Sequence, residues 1–427
     1  MTQTSQGEHE ARWHLTPTVV IAMAAGLGFA GVGLLFSRPD VVALGLPLTV
    51  WSVLVLVTRP ASSSTLAILV DSSAAGAEVR SIIEVNADAE IAQLAITQGG
   101  RVRGEVDAVA LGGVARARSR FIHSGPTELL DITARLVSLD GGVVSDHIEV
   151  GRSNWSAMPE ERPIATLPLS PRLTGLHGSH EGGRPGQGGD FRDIHPFAPG
   201  DELRRVDWRA TARLARRPGD LLVRRTNTLS DASIVIVMDT ADDLGESVAT
   251  WGRDDPERSG PTSLDAAREA ARSIAAAAIG AGDRVAFHDL GQVGRSLRSG
   301  SGPRHLSRVA AAIAATGVSD TDERVKRTPP VPAGSVIYML STFFDGSAAD
   351  LAVMWRAAGN RVIAIDTLPR ADTDRLNAPQ RLALRTLIAE RVDVFHDLRH
   401  SGVDVISWGA GPEAAATALR IAAKARR

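Results

Sequence analysis

Two uncharged runs near the N-terminus set the first limit on what this chain can fold into. No Asp, Glu, Lys or Arg occurs from Leu15 to Phe36, and none occurs from Val41 to Val57. The runs have 22 and 17 residues, separated only by Ser37, Arg38, Pro39 and Asp40. A hydrocarbon core about 30 Å thick needs about 20 helical residues, with about 17 near the lower limit. The first run exceeds the 7–15 residues or so of a signal-peptide core. The short link with Pro39 therefore predicts a transmembrane helical hairpin, both ends on one side. Gly26, Gly28, Gly31 and Gly33 suit close helix approach, and Trp13 and Trp51 stand near run ends, where interfacial aromatics are common. Arg12 and Arg59 flank the ends, whereas Arg38 alone marks the tip. That bias places both ends, and the soluble part, on the cytoplasmic face of the inner membrane.

The runs explain a misleading average. Mean hydropathy is −0.01, because the apolar N-terminus offsets a polar, arginine-heavy remainder. Net charge is −2, which gives no support for nucleic acid as a partner. There is no cysteine, so disulfides, thiolate metal sites and cysteine catalysis are excluded. Of 47 basic residues only Lys326 and Lys424 are lysines, which leaves little room for Schiff-base or P-loop chemistry. A length of 427 residues is enough for several domains.

Residues 61–152 read as a β-sandwich-like domain. Short Val-, Ile- and Ala-rich segments (Val79–Val85, Ile91–Thr97, Glu105–Leu111, Val114–Ile122, Leu129–Val137 and Val143–Val150) are separated by Gly and Asp turns. Residues 153–229 form a linker and motif segment. Its stretch from Gly175 to Gly189 holds seven glycines, with His177 and His180, and reads as a loop. From residue 230 to 427 apolar strands (Ile234–Met238, Arg284–Leu290, Ser335–Ser341, Arg361–Asp366, Asp404–Trp408) alternate with helical patterns over 263–279, 305–315, 347–358, 378–400 and 412–425. Alternation of that kind predicts an α/β domain with a Rossmann-type parallel sheet covered on both faces, and ligands at the carboxyl ends of its strands.

The most distinctive run is Asp190–Arg213, DFRDIHPFAPGDELRRVDWRATAR. Arg192, Arg204, Arg205, Arg209 and Arg213 alternate with Asp190, Asp193, Asp201, Glu202 and Asp207, a set able to form charge-assisted pairs. Pro199-Gly200-Asp201 marks a turn before a short helix, and Trp208 offers an apolar anchor. A self-satisfied structural network is the favoured reading, ahead of a partner surface and of a catalytic site. The basic pairs Arg216-Arg217 and Arg224-Arg225 are expected to join that pairing rather than to bind phosphate or lipid headgroups.

This run resembles the family called domain of unknown function 58. The resemblance rests on Pro199, Gly200, Asp201, Arg204, Asp207, Trp208, Ala212 and Arg213, with Phe191 and Arg192 upstream and Leu222-Val223-Arg224 downstream. Two N-terminal membrane helices and a β-rich middle fit it as well. His195-Pro196-Phe197 departs from it, because many relatives carry Arg-Glu-Tyr there. The resemblance implies a von Willebrand factor A-like fold for the α/β domain. It also implies a partner, a MoxR-type AAA+ ATPase, with the chain acting as an adaptor in chaperone-like maturation of protein complexes.

A von Willebrand A-like fold often carries Asp-x-Ser-x-Ser for Mg²⁺ after its first strand. Here the segment is Asp239-Thr240-Ala241-Asp242-Asp243, and the later element reads Ser341-Thr342-Phe343-Phe344-Asp345. Ala241 has no ligand atom, so Asp239, Asp243 and Asp345 are degenerate candidates and no cofactor is expected. His177, His180, Asp190 and His195 could be drawn as a zinc site, but exposed histidines are favoured. No Gly-x-Ser-x-Gly elbow occurs. The expected function is a membrane-anchored binding protein, not an enzyme. The alternatives are a hydrolase with a carboxylate or histidine site around residues 177–207 and a cation-dependent adhesion module. Oligomeric state is not encoded legibly.

Overall fold

The computed structural model describes residues 2–58, 63–75, 78–98, 101–170, 180–214, 216–217, 219–252, 259–291, 296–319 and 328–424. His177 and Lys326 lie outside the described residues. The chain divides into two compact units, Met1–Phe121 with Thr127–Trp155, and Ile122–Pro126 with Ser156–Arg427.

The first unit opens with a strand that the sequence pattern did not predict, β1 (Thr2–Leu15). Two helices follow, α1 (Pro17–Leu35) and α2 (Pro39–Thr58), both long and apolar enough to cross a membrane. Their outward faces are apolar on all sides, with Ile21, Leu27, Leu34, Leu44, Val50 and Val57 exposed, as a lipid-facing helix requires. The chain reverses at Ser37, which takes a positive φ of 51°, and Arg38 donates to Asp40 at 2.8 Å. A Cβ on Gly26 would lie 2.6 Å from Thr49 Cγ2, and one on Gly33 would lie 2.6 Å from Val42 Cγ2. Those two glycines let the helices touch. Gly28 and Gly31 face open space and do not.

Five further strands, β2 (Ser63–Ala75), β3 (Glu78–Gln98), β4 (Arg101–Arg120), β5 (Gly125–Val137) and β6 (Val143–Ser145), join β1 and β7 (Ile148–Ala157). They form one sheet in the order β4-β3-β2-β1-β6-β5-β7. β3 closes it. Its first half pairs with β2 (Ile83↔Val70) and its second half pairs with β5 (Leu94↔Ala134). The sandwich expectation is thus corrected to a single sheet that returns on itself. Between those halves the pairing of β3 with β4 shifts register from Asn86 to Ile91, and the buried face moves from Val79, Ile83 and Val85 to Ala92, Leu94 and Ile96. Trp13 is corrected too. Only 4% exposed, it lies in the sheet core and donates Nε1 to Ser64 Oγ at 2.8 Å, so it is no interfacial anchor.

The second unit begins with a two-stranded ribbon, β8 (His180–Pro196) and β9 (Leu222–Ser230), joined through α3 (Trp208–Leu214). The glycine-rich segment read as a loop is therefore strand from His180 onward. The remaining elements alternate: β10 (Ser233–Met238), α4 (Ser263–Gly280), β11 (Arg284–Asp289), β12 (Leu297–Gly300), α5 (Pro303–Ala314), β13 (Val336–Ser341), α6 (Ser347–Ala357), β14 (Arg361–Asp366), α7 (Ala378–His400), β15 (Asp404–Ser407) and α8 (Pro412–Lys424). The sheet order is β12-β11-β10-β13-β14-β15, with only β12 antiparallel. Ile234, Ile236 and Met238 pack with α4, α5 and α8 on one face. Val235 and Val237 pack with α6 and α7 on the other. The order reverses between β10 and β13, so their carboxyl ends flank the crevice where ligands bind in such sheets.

Arg391 closes this end of the unit. It shares one face of α7 with Leu384, Phe395 and Leu398, all buried. Its Nε donates to Thr342 O at 2.6 Å, and its Nη2 pairs with Asp366. The guanidinium stacks 4.5 Å from the Phe395 ring centroid. Burial pushes Asp366 above and Arg391 below their ordinary values, so desolvation outweighs their attraction. Removing one partner strands the other. Arg391→Ala is expected to cost about 3–5 kcal/mol in chemical unfolding of the detergent-solubilised chain. The double change Arg391→Met with Asp366→Leu is expected to recover part of that loss.

Candidate functional site

The motif segment is held mainly by backbone and capping bonds. Gly200 takes a φ of 99°, and Asp201 Oδ2 accepts from Ala198 N at 2.9 Å, closing the turn. Asp207 N donates to Leu222 O at 2.8 Å, which ties the motif to β9. Asp207 Oδ1 accepts from Ala210 N at 2.9 Å and so caps α3. Leu222 N donates to Thr211 Oγ1 at 3.0 Å. Val206, Ala210 and Val223 form the buried part.

The arginines pair less than their alternation with acids predicts. Glu202 takes both Arg204 and Arg205, the latter at 3.7 Å. Its carboxyl is held below the usual range by the bond from Arg204. Arg192 lies 3.7 Å from Asp193, and Arg224 sits 5.3 Å from the Phe191 ring centroid. No ion pair to a described carboxylate involves Arg209, Arg213, Arg216 or Arg217. Asp201 and Asp207 are occupied by turn and cap instead. Trp208 is also corrected: it is 65% exposed and anchors nothing in the core. Leu203, Leu214, Phe191 and Phe197 are exposed as well.

The histidines do not converge. His180 pairs across the ribbon with Ser230 and bonds Asp283 at 2.9 Å, while His195 pairs with Val223 and meets Arg225 Nη2 at 3.0 Å. The hydrolase alternative drawn around residues 177–207 thus has His180 and His195 bonded to separate partners, with His177 outside the described residues.

At the β10–β13 crevice each acid is bonded locally. Asp239 Oδ2 accepts from Ser341 Oγ at 2.7 Å, and its Oδ1 accepts from Ala241 N at 3.2 Å. Asp242 accepts from Thr342 Oγ1 at 3.1 Å, and Asp243 accepts from Leu264 N at 3.3 Å. Asp345 accepts from Ser347 N and Oγ at 3.1 and 2.8 Å, near the start of α6. Phe343 holds a φ of 58° where the chain leaves β13, a costly conformation for an aromatic residue. Among the described residues no group of three or more His, Asp or Glu side chains is placed to hold a metal ion. Ala241 leaves one position of the Asp-x-Ser-x-Ser pattern without an oxygen ligand. Beside these acids a cavity of about 240 Å³ is lined by Trp251, Phe344, Leu387 and Arg391. Arg391 was missed in the sequence; its signal was an arginine in register with the apolar stripe of α7.

Residues 193–375 match the family model described as Protein of unknown function DUF58. The match is confined to that segment of the chain. It runs from β8 through the Pro-Gly-Asp turn, α3 and the central strands to the chain beyond β14, and it leaves out the two apolar helices, the closed sheet and α7. No curated protein and no solved structure matches the chain.

Two outcomes follow from this geometry. Trp208→Ala is expected to change unfolding free energy by less than about 0.5 kcal/mol, because the indole is exposed. Burial raises the Asp239 carboxyl despite the bond from Ser341, and the nearby Asp345 and Asp242 charges add to the rise. A carboxyl whose folded value exceeds its unfolded one binds a proton on folding, so its contribution to stability falls as pH rises between the two. Asp239→Asn is expected to match wild type below about pH 4 and to melt higher at neutral pH.

Proposed function

We propose that the chain is a membrane-anchored binding protein whose DUF58 motif face docks a partner protein. The observation that carries this reading is the exposure of Trp208, Leu203 and Leu214 among Arg204, Arg209 and Arg213, on a segment that is otherwise tightly bonded. Tryptophan and arginine are enriched at binding hot spots, the indole for its large apolar area and the guanidinium for its planar fork of donors. A surface built for solvent alone has no use for an exposed indole beside Arg209 and Arg213, which make no ion pair to a described carboxylate. The backbone bonds of the turn and of α3 hold that surface ready, so docking does not have to order it.

The partner this reading supplies is a MoxR-type AAA+ ATPase, taken from the family resemblance, with the chain as adaptor in the maturation of protein complexes. The two apolar helices anchor it in the cytoplasmic membrane with both units inside. The parallel sheet is then a von Willebrand A-like domain whose metal position has been replaced by the local bonds of Asp239, Asp243 and Asp345. The test is recovery of partners on tagged full-length protein from solubilised membranes. An AAA+ ATPase is expected on wild type and at least tenfold less on the Trp208→Ala, Arg204→Ala double variant. Equal recovery on both, or no ATPase on wild type, overturns the reading.

A further inference from the structure

Sequence inspection pointed away from enzymatic chemistry, yet the second unit assembles three side chains that no sequence motif announces. His123 lies in the connector Ile122–Pro126, and Asp265 lies in the first turn of α4. Ser259 precedes that helix by four residues. His123 Nδ1 is 2.6 Å from Asp265 Oδ2, and its Nε2 is 3.4 Å from Ser259 Oγ. We propose that Ser259 is a nucleophile with His123 as its base, able to take the acyl group of a small carboxylic ester. This goes beyond the docking role and does not depend on it.

The proton positions follow from the bonds. Asp265 Oδ1 accepts from Ser124 N at 2.7 Å and Ser124 Oγ at 2.8 Å, and its Oδ2 accepts from Thr262 N at 3.2 Å. Arg268 Nη1 stands 3.6 Å away. Burial alone raises this carboxyl, but the bonds from His123 and Ser124 outweigh it and leave it below the usual range. An ionised carboxylate only accepts, so His123 Nδ1 carries the hydrogen, and the Nε2 of the neutral ring keeps its lone pair. Among the described residues the Ser259 hydroxyl meets that nitrogen and Gly260 O, the latter at 3.2 Å, and of these the imidazole is the basic group. The 3.4 Å separation is longer than the roughly 2.6–3.2 Å of a working pair, a gap that substrate binding closes in such sites. The triad is a matter of geometry and role rather than chain order.

The serine is both fixed and reachable. Ser247 N donates to Ser259 O at 3.0 Å, and Glu246 N donates to Pro261 O at 3.0 Å. A Cβ on Gly245 would lie 2.6 Å from Ser259 Cβ, so only glycine lets these segments meet. Ser259 is 9% exposed and lines a cavity of about 150 Å³ with Glu246, Ser247, Gly260, Asp372 and Arg375. That volume suits a short acyl group.

In the reaction Ser259 Oγ bonds to the ester carbonyl carbon while its proton passes to His123 Nε2. Collapse breaks the acyl C–O bond, and the imidazolium returns the proton to the departing alcohol. Water, deprotonated by His123, then bonds to the acyl carbon; the C–Oγ bond breaks and the imidazolium returns the proton to Ser259 Oγ, so ester and water give acid and alcohol. Asp265 is a positioning residue.

The experiment uses the full chain in detergent micelles with a fluorophosphonate probe, which phosphonylates an activated serine with loss of fluoride, and with p-nitrophenyl acetate. Peptide mapping is expected to place the label on Ser259 of wild type. Ser259→Ala is expected to abolish it with an unchanged melting temperature, and His123→Gln to slow it by about 100-fold. Among the described residues the charged groups on this site are Asp265 and Arg268 of α4, with Glu246, Asp372 and Arg375 lining the cavity at Ser259. Asp265→Asn is expected to move the pH midpoint of labelling downward, since the carboxylate favours the imidazolium. Absence of label on folded wild type, or labelling indifferent to His123→Gln, overturns the proposal.

Discussion

Burial of both faces of one parallel sheet is the constraint from which the second unit follows. Strands β10 and β13 carry only apolar side chains and Tyr338 between their ends. A polar group inside such a layer would lose water without gaining a partner. Charged groups are therefore displaced to the strand ends, where Asp239, Asp289, Ser341 and Asp366 gather. Once there they are still largely dry and must be bonded. Thr240 Oγ1 reaches Asp289 at 2.8 Å, Ser341 reaches Asp239, and Arg391 comes in from α7 to meet Asp366. The same pressure that builds the core concentrates polar chemistry at the strand ends, the amino ends included, where Asp283, Ser335 and Arg361 are buried and bonded.

The motif segment follows a different logic. Its acids serve the backbone, through the turn at Asp201 and the cap at Asp207, and this leaves Arg209 and Arg213 without an ion pair to a described carboxylate. A rigid segment with such guanidinium groups and an exposed indole has its interaction capacity directed outward. Surface ion pairs contribute little to stability in any case, so the arrangement gives up little of the fold's free energy.

Much of the fold was legible because it is written locally. The helix pair is visible as two uncharged runs, and the α/β elements as apolar strands between amphipathic stretches, since each pattern resides in adjacent residues. What was hidden depends on distant partners. β1 has the polar sequence TQTSQGEHEARWHL and becomes a strand only because β2 pairs with it. The glycine-rich part of β8 is strand because β9 lies beside it. Closure of the first sheet depends on β3 pairing with β2 in one half and with β5 in the other. The exposure of Trp208 reverses the usual inference from residue type, and His123 meets Asp265 across 142 positions of chain.

The pairing of β1 with β2 constrains how the protein is made. Register partners such as Glu8↔Ala67 and Arg12↔Ser63 lie on opposite sides of the helix pair in sequence. The first strand must therefore wait, unpaired, while about forty apolar residues are synthesised and delivered to their place. It must also stay in the compartment where β2 will emerge. Once the two strands zip together, the helices become a loop closed at its base by eleven paired residues. Sheet formation thereby ties the two ends of the helix pair to each other.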